Sequence, residues 1–168
     1  MFLLVLNNVY YMEEYTIIKA KNLKELRSRL NNAKGIIIVE GGDEHINRFV
    51  LEDARINILL NPENNPGMDF MHARNSGLNH ILCSIAAKNN KTIGINFNSL
   101  LEMSERNRII SLGRISQNIR LCRKYNVNFV IVNIISKWQD ERSTKDLKTL
   151  GTVLGLNIKE ENIIKIRI

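Results

Sequence analysis

The residues of this chain best suited to chemistry are cations. From Arg106 to Gln139 there are seven basic residues and no acidic one. The whole chain carries 24 Lys+Arg against 17 Asp+Glu, a net charge of +7, and residues 101–168 hold 13 of those bases and only 7 of the acids. A one-signed face attracts a polyanion over a Debye length of about 8–10 Å. Arginine can also meet a phosphate through two parallel hydrogen bonds, which lysine cannot. On a helix turning about 100° per residue, Arg106, Arg120 and Lys124 fall within roughly 40° of one another, with Gln117 beside them. Leu112, Ile115, Ile119 and Cys122 form the arc that must face a core. With Arg114 and Arg123, these cations make nucleic acid the leading partner class. The plainer alternative is a solvated outer face, and the missing carboxylates argue against it.

A second group lies at residues 136–143, read Ser-Lys-Trp-Gln-Asp-Glu-Arg-Ser. The sole tryptophan, Trp138, stands between Lys137 and Arg142. An aromatic plane beside cations can stack on an unpaired base. It can equally fold back and plug the end of a barrel. Ser143, three residues before Asp146, reads as a helix cap. Glu40, Asp43, Glu44 and His45 follow an apolar run and could bind a metal or shuttle protons. Asp43 is more simply a helix cap, with Glu44 and His45 exposed in the first turn. His72 falls in a polar loop, and His80 points away from its helix's apolar stripe. No catalytic residue and no metal ligand is assigned. Cys83 and Cys122, without any Cys-x-x-Cys spacing, read as two buried, reduced thiols of a cytoplasmic protein.

These groups must be positioned by an alternating chain. Apolar runs at residues 16–20, 35–40, 56–60, 92–97, 129–134 and 163–168 read as strands, and residues 3–9 add a seventh. Helices are expected from Asn22, from Asp43, from Ser76 through Lys88, from about Ser104 to Tyr125, and over 144–154. Residues 61–67 hold the only prolines and form a loop. Strands that are apolar on both faces, joined by helices, belong to a parallel sheet, either open and doubly wound or closed as a barrel. No GxGxxG or P-loop spacing supports a nucleotide site. At 168 residues a single domain over 1–168 is expected. The five-residue apolar run at 2–6 has no basic residue ahead of it and does not read as a leader peptide, and no window suits a bilayer.

Four stretches stand out together. Two are Val39-Glu40-Gly41-Gly42-Asp43 with Ile46-Asn47-Arg48, and Ile56-Asn57-Ile58-Leu59-Leu60-Asn61-Pro62. The others are Ser76-Gly77-Leu78-Asn79-His80-Ile81-Leu82 with Ala86-Ala87-Lys88-Asn89-Asn90, and Leu121-Cys122-Arg123-Lys124-Tyr125 with Trp138, Arg142-Ser143 and Asp146-Leu147. In this order and spacing they resemble the ribonuclease P protein component 3 family, archaeal relatives of a eukaryotic nuclear RNase P subunit. The resemblance implies an α/β TIM-barrel-like fold related to PHP phosphoesterases, shortened at its N-terminus, because members usually begin with a further βα segment. It implies a protein subunit of the ribonucleoprotein endonuclease that removes the 5′ leader of precursor tRNA. The RNA would carry the chemistry and need Mg²⁺, and the chain itself would hold no cofactor. The implied partners are RNase P RNA, component 2 and the other RNase P proteins, with precursor tRNA reached through the holoenzyme. The PHP metal ligands have no counterpart here. A metal-dependent phosphoesterase with its own barrel site, and a scaffold for an acidic protein, are the competing readings.

Overall fold

The computed structural model describes residues 2–6 and 9–168, with side chains from residue 14 onward. β1 (Phe2–Leu6) and β2 (Val9–Glu13) pair antiparallel as a separate two-stranded sheet. The remainder alternates: β3 (Tyr15–Ile18), α1 (Leu23–Leu30), β4 (Ile36–Glu40), α2 (Glu44–Glu52), β5 (Ile58–Leu60), α3 (His80–Lys88) and β6 (Thr92–Asn96). It continues with α4 (Phe97–Glu102), α5 (Glu105–Tyr125), β7 (Asn128–Ile135), α6 (Thr144–Val153) and β8 (Ile163–Arg167). The strand expected at 3–9 is therefore two strands, and residues 7 and 8 lie outside the described residues.

β3 to β8 form one parallel sheet in sequential order. A doubly wound sheet must reverse its strand order somewhere, and this one never does. Since βαβ crossovers are right-handed, sequential order carries every helix to the same face and curls the sheet into a half-barrel. The two cores follow that division. Ile37, Val39, Leu59, Ile93, Ile95, Phe129 and Ile131 pack with Leu26, Val50, Leu51, Leu82, Ile115, Ile119 and Leu147 from the helices. On the opposite, concave side Ile38, Ile58, Leu60, Val130, Val132 and Ile166 pack only among strand residues. An α/β TIM-barrel-like architecture with six barrel strands results.

The helix starts show how short polar side chains set boundaries. Asn22, Asp43, Asn96, Ser104 and Ser143 each accept a backbone N–H of the following first turn. The expected cap Ser76 is not one. Asn79 caps α3, accepting from the Leu82 N–H at 2.9 Å, because Gly77 bends the chain first. Gly77 has φ +75°, and a Cβ there would sit 1.8 Å from the Pro62 carbonyl oxygen, so only glycine fits. Asn47, fully buried, ties this corner together. It donates to the Pro62 and Gly77 carbonyls at 3.2 and 3.1 Å and accepts from the Gly42 N–H at 2.9 Å. The loop of 61–79 is thereby stitched across the C-terminal ends of β4 and β5. Cys83 and Cys122 are free thiols buried between α3 and α5; a hydrogen bond to Cys83 and burial push the Cys122 thiol up.

Candidate nucleic-acid interface

α5 is the longest helix, and its two sides differ in what their arginines do. Arg114 was expected on the nucleic-acid face, and the structure corrects this. Its side chain is only 7% exposed. The guanidinium donates to the carbonyls of Glu63, Asn65 and Gly67 and to the Asp69 carboxylate, the last at 2.8 Å. Four of its five N–H donors are taken, and the side chain lies buried beneath the loop. Arg108 is likewise turned inward, donating to the Leu100, Leu101 and Met103 carbonyls where α4 ends.

The same loop delivers a cation that sequence reasoning missed. Gln117 holds Arg74 by both backbone groups, accepting from its N–H at 3.1 Å and donating to its carbonyl at 2.9 Å. The Arg74 side chain then lies across α5 at Gly113, where a Cβ would come within 2.6 Å of its Nε and Cζ. Gly113 falls between Arg106 and Arg120 on the outward arc, so Arg74 fills the gap in that row. A glycine inside a long helix costs about 1 kcal/mol relative to alanine, and this was the one available signal. Asp69 bridges Arg74 (3.0 Å) and Arg114 (2.8 Å). Burial alone would raise the Asp69 carboxyl, but the Asn75 N–H and the two guanidinium groups outweigh it and hold the carboxyl below its usual range. One carboxylate thus serves two arginines and leaves a surplus positive charge.

Arg106, Arg120, Arg123 and Lys124 are exposed. Among the described residues Arg106, Arg120 and Lys124 have no ion-pair partner, and Arg120 only leans on the Ser116 carbonyl at 3.3 Å. Arg123 reaches the Gly155 carbonyl. A helix that follows a parallel strand runs back toward the strands' N-terminal ends. At 1.5 Å per residue, Arg106 and Lys124 are therefore about 27 Å apart. Arg120, Arg123 and Lys124 lie at the N-terminal end of the barrel strands, and Arg106 lies at the C-terminal end. With Arg114 buried, the other seven candidates form a long stripe and a separate loop, not one patch.

That loop follows β7 at the C-terminal end. Trp138 is 82% exposed, so it does not plug the barrel. Lys137 is exposed and Arg142 half-buried, its guanidinium donating to the Gln139 and Glu141 carbonyls. Elsewhere at these strand ends the acidic residues have structural duties. Glu40 pairs with Lys19 at 3.1 Å, and Asp43 accepts from the His45 and Ile46 N–H groups. Glu63 is 2% exposed with Oε2 unpartnered, and burial pushes its carboxyl up to about 8 against a weaker pull from Arg114. Among the described residues no group of three or more His, Cys, Asp or Glu could hold a metal ion. Beside Glu63 a cleft of about 630 Å³ opens between residues 63–69 and α5, and Met68, Phe70 and Met71 are exposed along this loop. No described helix is long and apolar enough to cross a membrane.

A singly wound, TIM-barrel-like fold with a row of exposed cations along one helix defines an α/β protein with a basic face. Comparison with known proteins narrows that class. The family model for RNase P subunit p30 matches residues 16–162, and the chain belongs to that family. Ribonuclease P protein component 3 of Methanosarcina acetivorans is 36% identical over 138 residues, 82% of this chain and 54% of the relative. The protein of the same name from Methanococcus maripaludis strain C7 is 33% identical over 134 residues, 78% of this chain and 55% of the relative. The chain spans about half the length of the curated relatives it matches. Among solved structures, a chain in the cryo-EM structure of archaeal ribonuclease P with mature tRNA is 26% identical, with a TM-score of 0.71 covering 89% of this chain and 63% of that one.

Proposed function

We propose that this chain is a protein subunit of ribonuclease P and acts by neutralising phosphates of the RNase P RNA. Arg106, Arg74, Arg120 and Lys124 form the contact row, with Arg123 beside it. Where RNA strands crowd together, fixed guanidinium groups take over work otherwise done by diffusible Mg²⁺, so the RNA reaches its active form with fewer bound ions. The chain contributes no catalytic group: the RNA cleaves the 5′ leader of precursor tRNA, and Mg²⁺ is held at the RNA. Component 2 and the other RNase P proteins complete the cytoplasmic particle. The observation that carries this reading, in a chain of this family, is the outward row along α5, where Arg106, Arg120 and Lys124 have no carboxylate partner among the described residues and Arg74 shares Asp69 with Arg114.

The test is charge reversal. In the Arg120→Glu, Lys124→Glu double variant, the log–log salt dependence of RNase P RNA binding should flatten by about 0.7–0.9 per lost phosphate contact. Reconstituted pre-tRNA cleavage should then demand more Mg²⁺. An unchanged slope together with an unchanged magnesium requirement would refute the proposal.

A further inference from the structure

We propose that Trp138 is a stacking platform for one unpaired RNA base, carried on a turn that the rest of the chain holds rigid. This rests on the reading above only in taking the ligand to be RNA. The sequence marks the tryptophan; the structure shows how it is held. Residues Trp138–Asp140 form a single short helical turn. Asp140 closes it from within, its carboxylate accepting the Lys137 N–H at 2.8 Å. Two buried asparagines then grip it from behind. Asn133, in β7, donates to the Asp140 carbonyl at 2.9 Å and accepts the Arg142 N–H at 3.0 Å. Asn98, in α4, donates to the Ile134 carbonyl at 2.5 Å and to the same Asp140 carbonyl at 3.2 Å. Asn98 is itself placed by Asn96, whose side chain accepts its N–H, and the Asn96 N–H is held by Asn61. An asparagine relay thus runs from β5 through β6 to β7 and ends under the tryptophan.

Such bracing would be wasted on a side chain meant to swing freely. The indole is held out in water although it is the bulkiest side chain type in the protein, and a ligand for its face explains why. A base suits it better than a protein surface does. Protein hot spots sit inside apolar surroundings that exclude water, whereas Ser136, Lys137 and Gln139 around Trp138 are all exposed and polar. A stacking platform needs only an open π-face with cations nearby for the backbone. Lys137 supplies one, with no ion-pair partner among the described residues. The local acids are occupied: Asp140 caps the turn, and Glu141 pairs with Arg167 at 2.7 Å.

Because the chain has one tryptophan, emission excited selectively from tryptophan reports this turn alone. The experiment titrates the 168-residue chain with an end-labelled RNA hairpin bearing a wide unpaired loop, and separately with the same stem as a blunt duplex. Label anisotropy reads binding, and tryptophan emission reads stacking. Both RNAs should bind through phosphates, but only the hairpin should strongly quench the emission. Trp138→Ala should weaken hairpin binding roughly five- to a hundred-fold, the range for losing one stacked base, and Trp138→Phe should recover most of it. Hairpin binding without quenching, or equal quenching by both RNAs, overturns the platform while leaving the phosphate row intact. If neither RNA binds, both proposals fall.

Discussion

Arg114 offers the sharpest test, because two arginines of the same helix should behave oppositely. Arg114→Leu removes a guanidinium bonded to three carbonyls and one carboxylate while keeping a side chain that can fill part of its space. Hydrogen bonds to a charged group are worth about 1.5–3 kcal/mol each, so simple addition would put the loss above what many domains possess. Simple addition fails here. The stranded carbonyls belong to a surface loop that can lift and rehydrate, and Asp69 keeps Arg74. Breaking a fully buried pair costs about 3–5 kcal/mol, but Asp69 is partly exposed and stays paired, so a loss of about 2–3 kcal/mol is expected. Urea unfolding should show it as a lowered midpoint. Limited proteolysis should produce new cuts within residues 64–74, because the loop's clamp is gone. Arg120→Leu, exposed and held by one long backbone contact, should change stability by less than about 0.5 kcal/mol and yet weaken RNA binding. A loss under about 1 kcal/mol for Arg114→Leu, with the loop still protected and RNA affinity sharply reduced, would refute the clamp and return Arg114 to the binding face.

Two further perturbations probe the same corner. Gly113→Ala should raise helix stability by about 1 kcal/mol while evicting the Arg74 side chain, so the melting temperature should rise as the salt slope of RNA binding falls. Glu63 should impose a pH dependence. The folded chain keeps a proton there that the unfolded chain releases above its ordinary 4.5, so stability falls as pH rises between about 4.5 and 8. The slope should approach about 1.4 kcal/mol per pH unit, and Glu63→Gln should flatten it; an identical profile in that variant would rule Glu63 out as the source. Asp69 contributes with the opposite sign, its carboxyl lying below the usual range, so its share is lost only in more acidic solution.

Much of the molecule was legible from local chemistry. Runs such as Ile36–Glu40 and Asn128–Ile135 announce strands buried on both faces, and Asn22, Asp43, Ser104 and Ser143 announce helix starts because a short side-chain oxygen can reach a free amide. The exposed arc of α5 was equally plain, since helical periodicity needs no tertiary information. Ser76 misled because a good capping residue also suits a buried turn, and a glycine beside it decided which. What periodicity could not supply was the state of each cation. Arg114 and Arg120 are alike in type and helix. Only a loop about fifty positions earlier in the chain, packed on one flank of α5, buries the first and leaves the second in water. Arg74 joins the stripe by the same route, and Trp138 owes its outward pose to carbonyls gripped from a neighbouring strand and helix. Local pattern specified which segments form and which faces carry charge, while long-range packing chose which charges stay free, because burial and hydrogen-bond partnership come from residues far apart in sequence.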